Sequence, residues 1–265
     1  SEVVRRKDLF VAVFANLAHN ENRILKISES LKAYNDRVKD HFANSNRFDG
    51  SNTQPFTQYV EGGSQTSIWG VPSLGIDPAT GEEIFIRPGG SITNTWNTND
   101  QVVLGDMEPK IQGTFGLNAT YKNLSLYMTF MYEAGGQIYN STLRDKVEDV
   151  NVYTSNVDKR VFSERWQEPG DKARYRKLTS GVGGSIMRTR PTSRFVEDNN
   201  VLTLNSISLG YDFDAGQKWM KTIGLSMLRF EIGANDVCRW SSVKVERGLN
   251  YPYARSFNFS LKAAF

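Results

Sequence analysis

Polar and apolar side chains alternate along several stretches of this chain, the period that puts one set on each face of a β-strand. The pattern is clearest at the end, where Phe257, Phe259, Leu261, Ala263 and Phe265 are apolar and Ser256, Asn258, Ser260 and Lys262 between them are polar. Leu228, Phe230, Ile232 and Ala234 alternate in the same way with Arg229, Glu231, Gly233 and Asn235, and Ile207, Leu209, Tyr211 and Phe213 with Ser206, Ser208, Gly210 and Asp212. Only Lys122-Asn123 separates Phe115, Leu117, Ala119 and Tyr121 from Leu124, Leu126, Met128 and Phe130, which predicts a hairpin with a two-residue turn. Asp8 to Ala18, Ser64 to Ile76 and Glu83 to Arg87 read as further strands, the last two joined across Asp77-Pro78-Ala79-Thr80-Gly81, for eight candidates in all.

The connections alternate in length. Asp77 to Glu82, Lys122-Asn123 and the stretch from Asp214 to Ile223 are short, whereas Asn20 to Gly63, Pro88 to Gly113, Gly135 to Val201 and Val237 to Arg255 are long. Outer-membrane barrels have short periplasmic turns and longer extracellular loops. On that assignment the strand at Asp8 runs outward and Phe265 ends on the periplasmic side. Within the long connections, Ser28 to Phe42 has helical spacing, with Leu31, Tyr34, Val38 and Phe42 on one stripe and Ser28 placed to cap it; Ser141 to Asp149 is a weaker helical candidate. A soluble β-sandwich also shows alternation. The aromatic-rich apolar face, the loop asymmetry and strands near the ~9–11 residues of a tilted crossing favour the membrane barrel. The expected fold is therefore all-β, an antiparallel transmembrane barrel wall with short helices in long outer loops.

Composition narrows the function classes. The 265 residues are 39% hydrophobic with a mean hydropathy of −0.47. Apolar runs such as Leu9 to Ala15 fall far short of the ~18 residues of a spanning helix. A barrel passes this test, because its lipid-facing and lumen-facing residues alternate. The net charge of +3 comes from interspersed signs, without the basic footprint of a nucleic-acid binder. Cys238 is alone, and His19 and His41 do not complete a zinc set with it.

No catalytic constellation, cofactor or metal site is expected. Glu82-Glu83 and Glu168 with Asp171 are carboxylate pairs in loops, where solvated acids are the plainer reading than an acid/base pair. Ser185 follows Gly181-Val182-Gly183-Gly184 but matches neither a nucleophile elbow nor a phosphate loop. Asp145, Glu148 and Asp149 lack the regular spacing of a calcium loop.

Several segments in order carry a family resemblance: Leu9 to Asp36 (LFVAVFANLAHNENRILKISESLKAYND), Asp100 to Lys110 (DQVVLGDMEPK), the Tyr121-Lys122-Asn123-Leu124 hairpin, Arg165 to Asp171 (RWQEPGD), Ser193 to Asn199 (SRFVEDN) and Pro252 to Phe265. Together they resemble the C-terminal portion of SusC-like TonB-dependent transporters, the SusC/RagA family of Bacteroidetes. The resemblance implies a barrel of about 22 strands closed by an N-terminal plug, import of glycans or oligopeptides, and no enzymatic activity. It implies as partners the rest of the same transporter, a SusD-like surface lipoprotein, TonB and outer-membrane lipid, and no nucleic acid. Residues 1–265 are then expected to be the C-terminal segment of the barrel, with plug and N-terminal strands outside this chain, either as a separate chain or removed by cleavage at a periplasmic turn near Ser1. Trp96, Trp166, Trp240, Tyr251 and Arg165 are the candidate substrate contacts, since loop aromatics stack on sugars or pack peptide side chains, and Arg165, like Arg188, could pair with carboxylates of a peptide or acidic sugar. Phe257, Phe259, Leu261 and Phe265 are expected to meet lipid. The alternatives from the residues alone are a self-contained eight-stranded barrel with a structural or adhesive role, and a secreted glycan-binding sandwich.

Overall fold

The computed structural model describes all residues except 47, 49, 155, 180–185, 215 and 245–254. In chain order the strands are β1 (Glu2–Arg5), β2 (Leu9–Ala15), β3 (Ser67–Gly70), β4 (Ser73–Ile76), β5 (Glu83–Ile86), β6 (Ile92–Thr93), β7 (Val102–Asp106), β8 (Ile111–Tyr121), β9 (Leu124–Tyr139), β10 (Val196–Phe213), β11 (Met227–Ser241) and β12 (Ser256–Ala264). Seven of them form one antiparallel sheet in the order β1-β2-β8-β9-β10-β11-β12. The sheet is open: β1 and β12 are its edges, and among the described residues no strand pairs with the far side of either.

The register lines side chains into rows that cross six strands. Leu9, Tyr121, Leu124, Tyr211, Phe230 and Leu261 form one row, and Val11, Ala119, Leu126, Leu209, Ile232 and Phe259 the next. A third runs through Val13, Leu117, Met128, Ile207, Ala234 and Phe257. Every member is apolar or aromatic. The rows between them lie on the other face and carry Thr120, Ser125, Gly210, Glu231 and Ser260, or Asn118, Tyr127, Ser208, Gly233 and Asn258. Among the described residues nothing covers the apolar face: Leu209 is 44% exposed, Phe257 66% and Phe259 71%. A sandwich buries such a face under a second sheet, so the exposed rows fit hydrocarbon instead.

Aromatic residues concentrate at both ends of this face. Tyr211, Phe213 and Trp219 pack in a chain at the short-turn end, with ring centroids 5.0 and 5.8 Å apart. At the other end Phe115 stacks on Phe130 at 4.9 Å, and the Tyr132 hydroxyl reaches across Gly113 to donate to the Asn16 carbonyl at 3.1 Å. Leu202, which pairs with Tyr132 and Trp240, lies nine residues from Tyr211 on β10. That is roughly 30 Å of strand, or about 23 Å of height at a ~40° tilt, close to the ~25 Å apolar band of outer-membrane barrels.

The alternation of short and long connections holds along the sheet. Arg6 to Asp8, Lys122-Asn123 and Asp214 to Ser226 join strands at one end, and the three long connections leave from the other. Two candidate strands fall outside the sheet. Ser64 to Ile76 breaks into β3 and β4 around Val71-Pro72, because Pro72 has no N–H to give a ladder; β3 pairs with β7, and β4 with β5 and β6, in two small sheets within the first long connection. These strands are four residues long, too short to cross a bilayer. In their place β1 joins the sheet beside β2, and Ser1 accepts from Val13 N within that pairing rather than sitting in a turn. The outer sheet therefore has seven strands where eight were expected.

Leu209→Arg, at the centre of the apolar face, should destabilise the lipid-embedded protein by about 2–4 kcal/mol. Ser260→Lys, opposite Glu231 on the polar face, should change it by less than about 1 kcal/mol. Equilibrium unfolding from lipid vesicles reads both.

Candidate functional site: the ordered loop layer

β9 and β10 are 16 and 18 residues long, so both extend past the length of a crossing. Their outer ends, with the first and second long connections, build a folded layer at the loop end of the sheet. Gly136 lets the backbone of Met107 to Pro109 close on β9 to within about 3 Å of where its Cβ would stand, and Gly135, with φ +82°, faces the Lys110 side chain. The layer's apolar core is Ile68, Leu143, Val147, Val161, Tyr175 and Phe195, with Tyr139 at its base. Helix α1 (Glu29–Asn44) packs at its side, with Val38 and Phe42 buried and the Ser28 hydroxyl accepting from Leu31 N as the expected cap. Ser141–Leu143 forms helix α2 and runs into a π-helical turn over Arg144–Glu148, capped by Asn140, whose side chain accepts from Leu143 N. A further short helix is α3 (Arg160–Ser163).

A charged network sits inside this layer. Arg194 donates to Glu83 and Glu148, both at 2.8 Å. Arg176 contacts Glu148 at 3.2 Å and Asp149 at 2.9 Å. Asp149 also accepts from the Thr189 amide and hydroxyl, and Glu83 from the Thr192 hydroxyl at 2.6 Å. All of these side chains are buried or nearly so, with Glu148 and Asp149 fully enclosed. Burial pushes the Glu83 carboxyl up, but the Arg194 guanidinium outweighs it and holds the group below its ordinary value. Burial opposes the Arg194 charge in turn, and Glu148 and Glu83 lift it well above the usual guanidinium value. At Asp149 burial wins over Arg176, and Glu148 adds to it, so its carboxyl is raised.

The network changes the reading of several residues. Glu148 and Asp149 are held by arginines rather than open to a cation, and among the described residues no acidic, histidine or cysteine cluster is arranged to hold a metal. Glu82 pairs with Lys177 and Glu83 with Arg194, and Asp171 accepts from the Gln167 and Glu168 amides, so neither carboxylate pair is poised for acid/base work. Arg165 is buried and donates to the carbonyls of Val161, Val147, Glu148 and Arg176, tying α3 to the π-turn. Ser185 and Tyr251 lie outside the described residues.

A cleft of about 220 Å³ opens beside the network, lined by Glu82, Trp96, Arg176, Arg188, Thr189 and Arg190 among others. Trp96 enters it half-buried, its indole N–H donating to Pro191 O at 3.0 Å and its ring packed by Phe42 and by the Arg190 guanidinium 4.8 Å away. Trp166 lies elsewhere: its ring covers Gly81, where a Cβ would clash at 2.5 Å, and its N–H donates to Pro78 O. Trp240 is 52% exposed on β11, in line with Leu202 and Tyr132 at the outer end of the apolar face. Of the described candidate contacts, Trp96 and Arg188 line this cleft. Arg190 and Thr189 were not singled out by sequence; Arg190 carries no periodic signal, and only its approach to Trp96 across the fold marks it.

An antiparallel wall with one bare apolar face, aromatic ends and a folded loop layer at one rim has the construction of a transmembrane β-barrel section. Comparison with known proteins narrows the class. No family model matches the chain. It is 23% identical over its whole length to TonB-dependent receptor P3 of Formosa agariphila, covering 28% of that protein, and 24% identical over 56% of its length to TonB-dependent receptor P26 of the same organism, covering 14%. Among solved structures it resembles the RagAB peptide importer in its "open-open" state, with a TM-score of 0.71, 21% identity and coverage of 100% of this chain and 27% of that one. The RagAB peptide transporter gives 0.66 at 19% identity over 92% of this chain and 25% of that one. The chain thus spans under a third of the proteins it matches. Its resemblance to TonB-dependent receptors holds in sequence, and its fold is similar to that of part of a RagAB chain.

Arg194→Met should cost about 3–5 kcal/mol by leaving two buried carboxylates short of a cation, read as faster proteolysis within 140–195. Because the Glu83 carboxyl is depressed, its stabilising contribution is complete above the ordinary carboxylate range and is lost as pH falls below that range through the group's own lowered value. Glu83→Gln should therefore flatten the acid limb of the same protease-resistance profile.

Proposed function

We propose that this chain is the C-terminal wall and outer loop layer of an outer-membrane, TonB-dependent importer of oligopeptides, working with a SusD-like surface lipoprotein. The observation that carries the reading is the set of six-strand apolar rows on a sheet that superposes on a RagAB chain over its full length. An open sheet exposes unpaired backbone groups at β1 and β12, which is costly in hydrocarbon. Further strands from the rest of the transporter would pair with both edges, and an N-terminal plug would fill the lumen against the polar rows.

Peptide is favoured over glycan by the cleft. The rings of Trp96 and Trp166 are engaged by Arg190, Phe42 and Gly81, so neither is a bare stacking platform for sugar. The cleft is lined instead by the Arg188 and Arg190 guanidinium groups, which donate to the Asp149 and Ser45 carbonyls, and by the Glu82 carboxylate, which pairs with Lys177, so its wall carries both signs of charge and suits a ligand that does the same. In this mechanism the loop layer is a pre-ordered rim. Its buried ion pairs hold the cleft walls in place, while energy for uptake enters through the plug and TonB.

Expression of the full transporter, followed by fractionation and mass spectrometry of bound ligands, tests the reading: outer-membrane recovery with copurified oligopeptides is expected, and recovery in the soluble fraction would overturn it. The Arg188→Gln/Arg190→Gln pair should weaken retention of those peptides by roughly tenfold or more, since each charge-assisted hydrogen bond lost costs ~1.5–3 kcal/mol.

A further inference from the structure

The short-turn end of the sheet carries a charge that the rest of the molecule does not. Arg6, Lys7 and Asp8 form the first turn, Lys122 lies in the second, and Asp214, Lys218 and Lys221 in the third. These are five cations and two acids, a net of +3; removing them from the 32 basic and 29 acidic residues leaves 27 of each. The whole net charge of the chain therefore resides in three short connections at one rim.

The cations are exposed and none of the five enters an ion pair with a carboxylate of the described residues. Two turns are joined by the Lys122 amide donating to Asp8 O at 2.8 Å, and the cleft of about 450 Å³ between them, lined by Arg6, Lys7, Asp8, Phe10, Thr120 and Lys122 among others, opens on the polar face, where Phe10 pairs with Thr120. Just above, on the apolar face, stand exposed aromatics: Tyr121, with the Lys122 ammonium 5.5 Å from its ring, then Tyr211, and Trp219 on helix α4 (Lys218–Thr222). Aromatic rings mark the level where acyl chains give way to headgroups. Cations one step beyond them stand at the height of lipid phosphates.

We propose that this rim is a binding collar for the phosphates of anionic phospholipids in the membrane leaflet at the turn side. The inference rests on the barrel reading above. Charge complementarity and position choose the occupant: the cations lie along the lower edge of a lipid-facing surface, one step below its exposed aromatics. The collar would also fix the depth of the wall, since lifting it into hydrocarbon would strip five charges of water.

The test uses the full transporter in nanodiscs of phosphatidylethanolamine with phosphatidylglycerol, and native mass spectrometry of the lipids retained on extraction. Enrichment of phosphatidylglycerol is expected, falling about fivefold for each cation removed in Arg6→Gln, Lys7→Gln and Lys122→Gln. Lys7→Arg with Lys122→Arg should retain the enrichment, which separates loss of charge from loss of fold. Equal retention of both lipids by the inserted wild-type protein, or enrichment unchanged in the folded glutamine variant, would overturn the collar while leaving the barrel reading intact. Failure of the wild-type protein to enter the membrane would instead overturn the barrel reading, and the collar with it.

Discussion

Backbone pairing is the constraint on which everything else in this structure rests. A strand that faces hydrocarbon must satisfy each N–H and C=O within the sheet, because the surrounding medium offers no partner. The ladder then fixes register, and register fixes which side chains share a row. A one-residue slip between β9 and β10 would turn Leu209 and Ile207 toward the polar side and bring Ser206 and Ser208 onto the apolar one. The irregularities are placed where they do least harm to this arrangement: the shift between Leu204 and Ser206 returns Leu204 to the same face as Ile207, opposite Phe130, and the apolar rows continue past it. On the polar face, small residues make space for the few charged ones. Gly210 is such a case, since a Cβ there would stand 2.6 Å from the Arg229 guanidinium that bridges Asp212, Glu231 and Ser125.

The loop layer solves a different problem. It has a modest apolar core, and its long connections come from distant parts of the sequence. The arginine and carboxylate pairs supply what generic packing does not, a specific partner for each segment. Arg194 joins the end of the second long connection to β5 in the first, and Arg176 joins the π-turn to the strand-like stretch that follows α3. Buried ion pairs of this kind contribute little net stability, because desolvation offsets much of the attraction, yet removing one partner leaves an uncompensated charge. Such a network selects one arrangement of the loops over its competitors. That property suits a rim whose cleft has to keep its shape.

How much of this was legible in the sequence follows from the same physics. The strands at Phe257, Leu228, Ile207 and Phe115 were readable because one of their faces meets an apolar medium and the other water, which imposes the period-2 pattern. The outer extensions of β9 and β10 were not: Gln137, Glu197, Asp198 and Asn199 lie beyond the apolar band, where neither face selects apolar side chains and alternation disappears. β1 was missed because four residues cannot show a period clearly. Ser64 to Ile76 was misassigned to the sheet for the opposite reason, since it alternates over a folded loop core as a membrane strand would over lipid, and Pro72 was the signal against it. At the candidate site, Trp96 was identified by residue type alone. Arg190, nearly a hundred positions away, becomes its neighbour only through the third dimension, and no local pattern encodes that approach.

The two rims of the wall are built in contrasting ways, and the contrast bears on how the proposed transporter would work. At the loop end, charges are internal and mutually paired, so the segments of that rim are tied to one another. At the turn end, cations are exposed and lack carboxylate partners among the described residues, so that rim takes its order from what surrounds it. A wall anchored at the turn end and stiff at the loop end transmits little of any force applied to a plug from the periplasm. Motion driven through the plug would then be confined to the lumen, where Arg229 and its partners present hydrogen-bonding groups, instead of deforming the cleft that holds the ligand. On this view the strand ending at Phe265 and the buried Glu83–Arg194 pair serve one purpose from opposite ends: both keep the barrel wall fixed while something inside it moves.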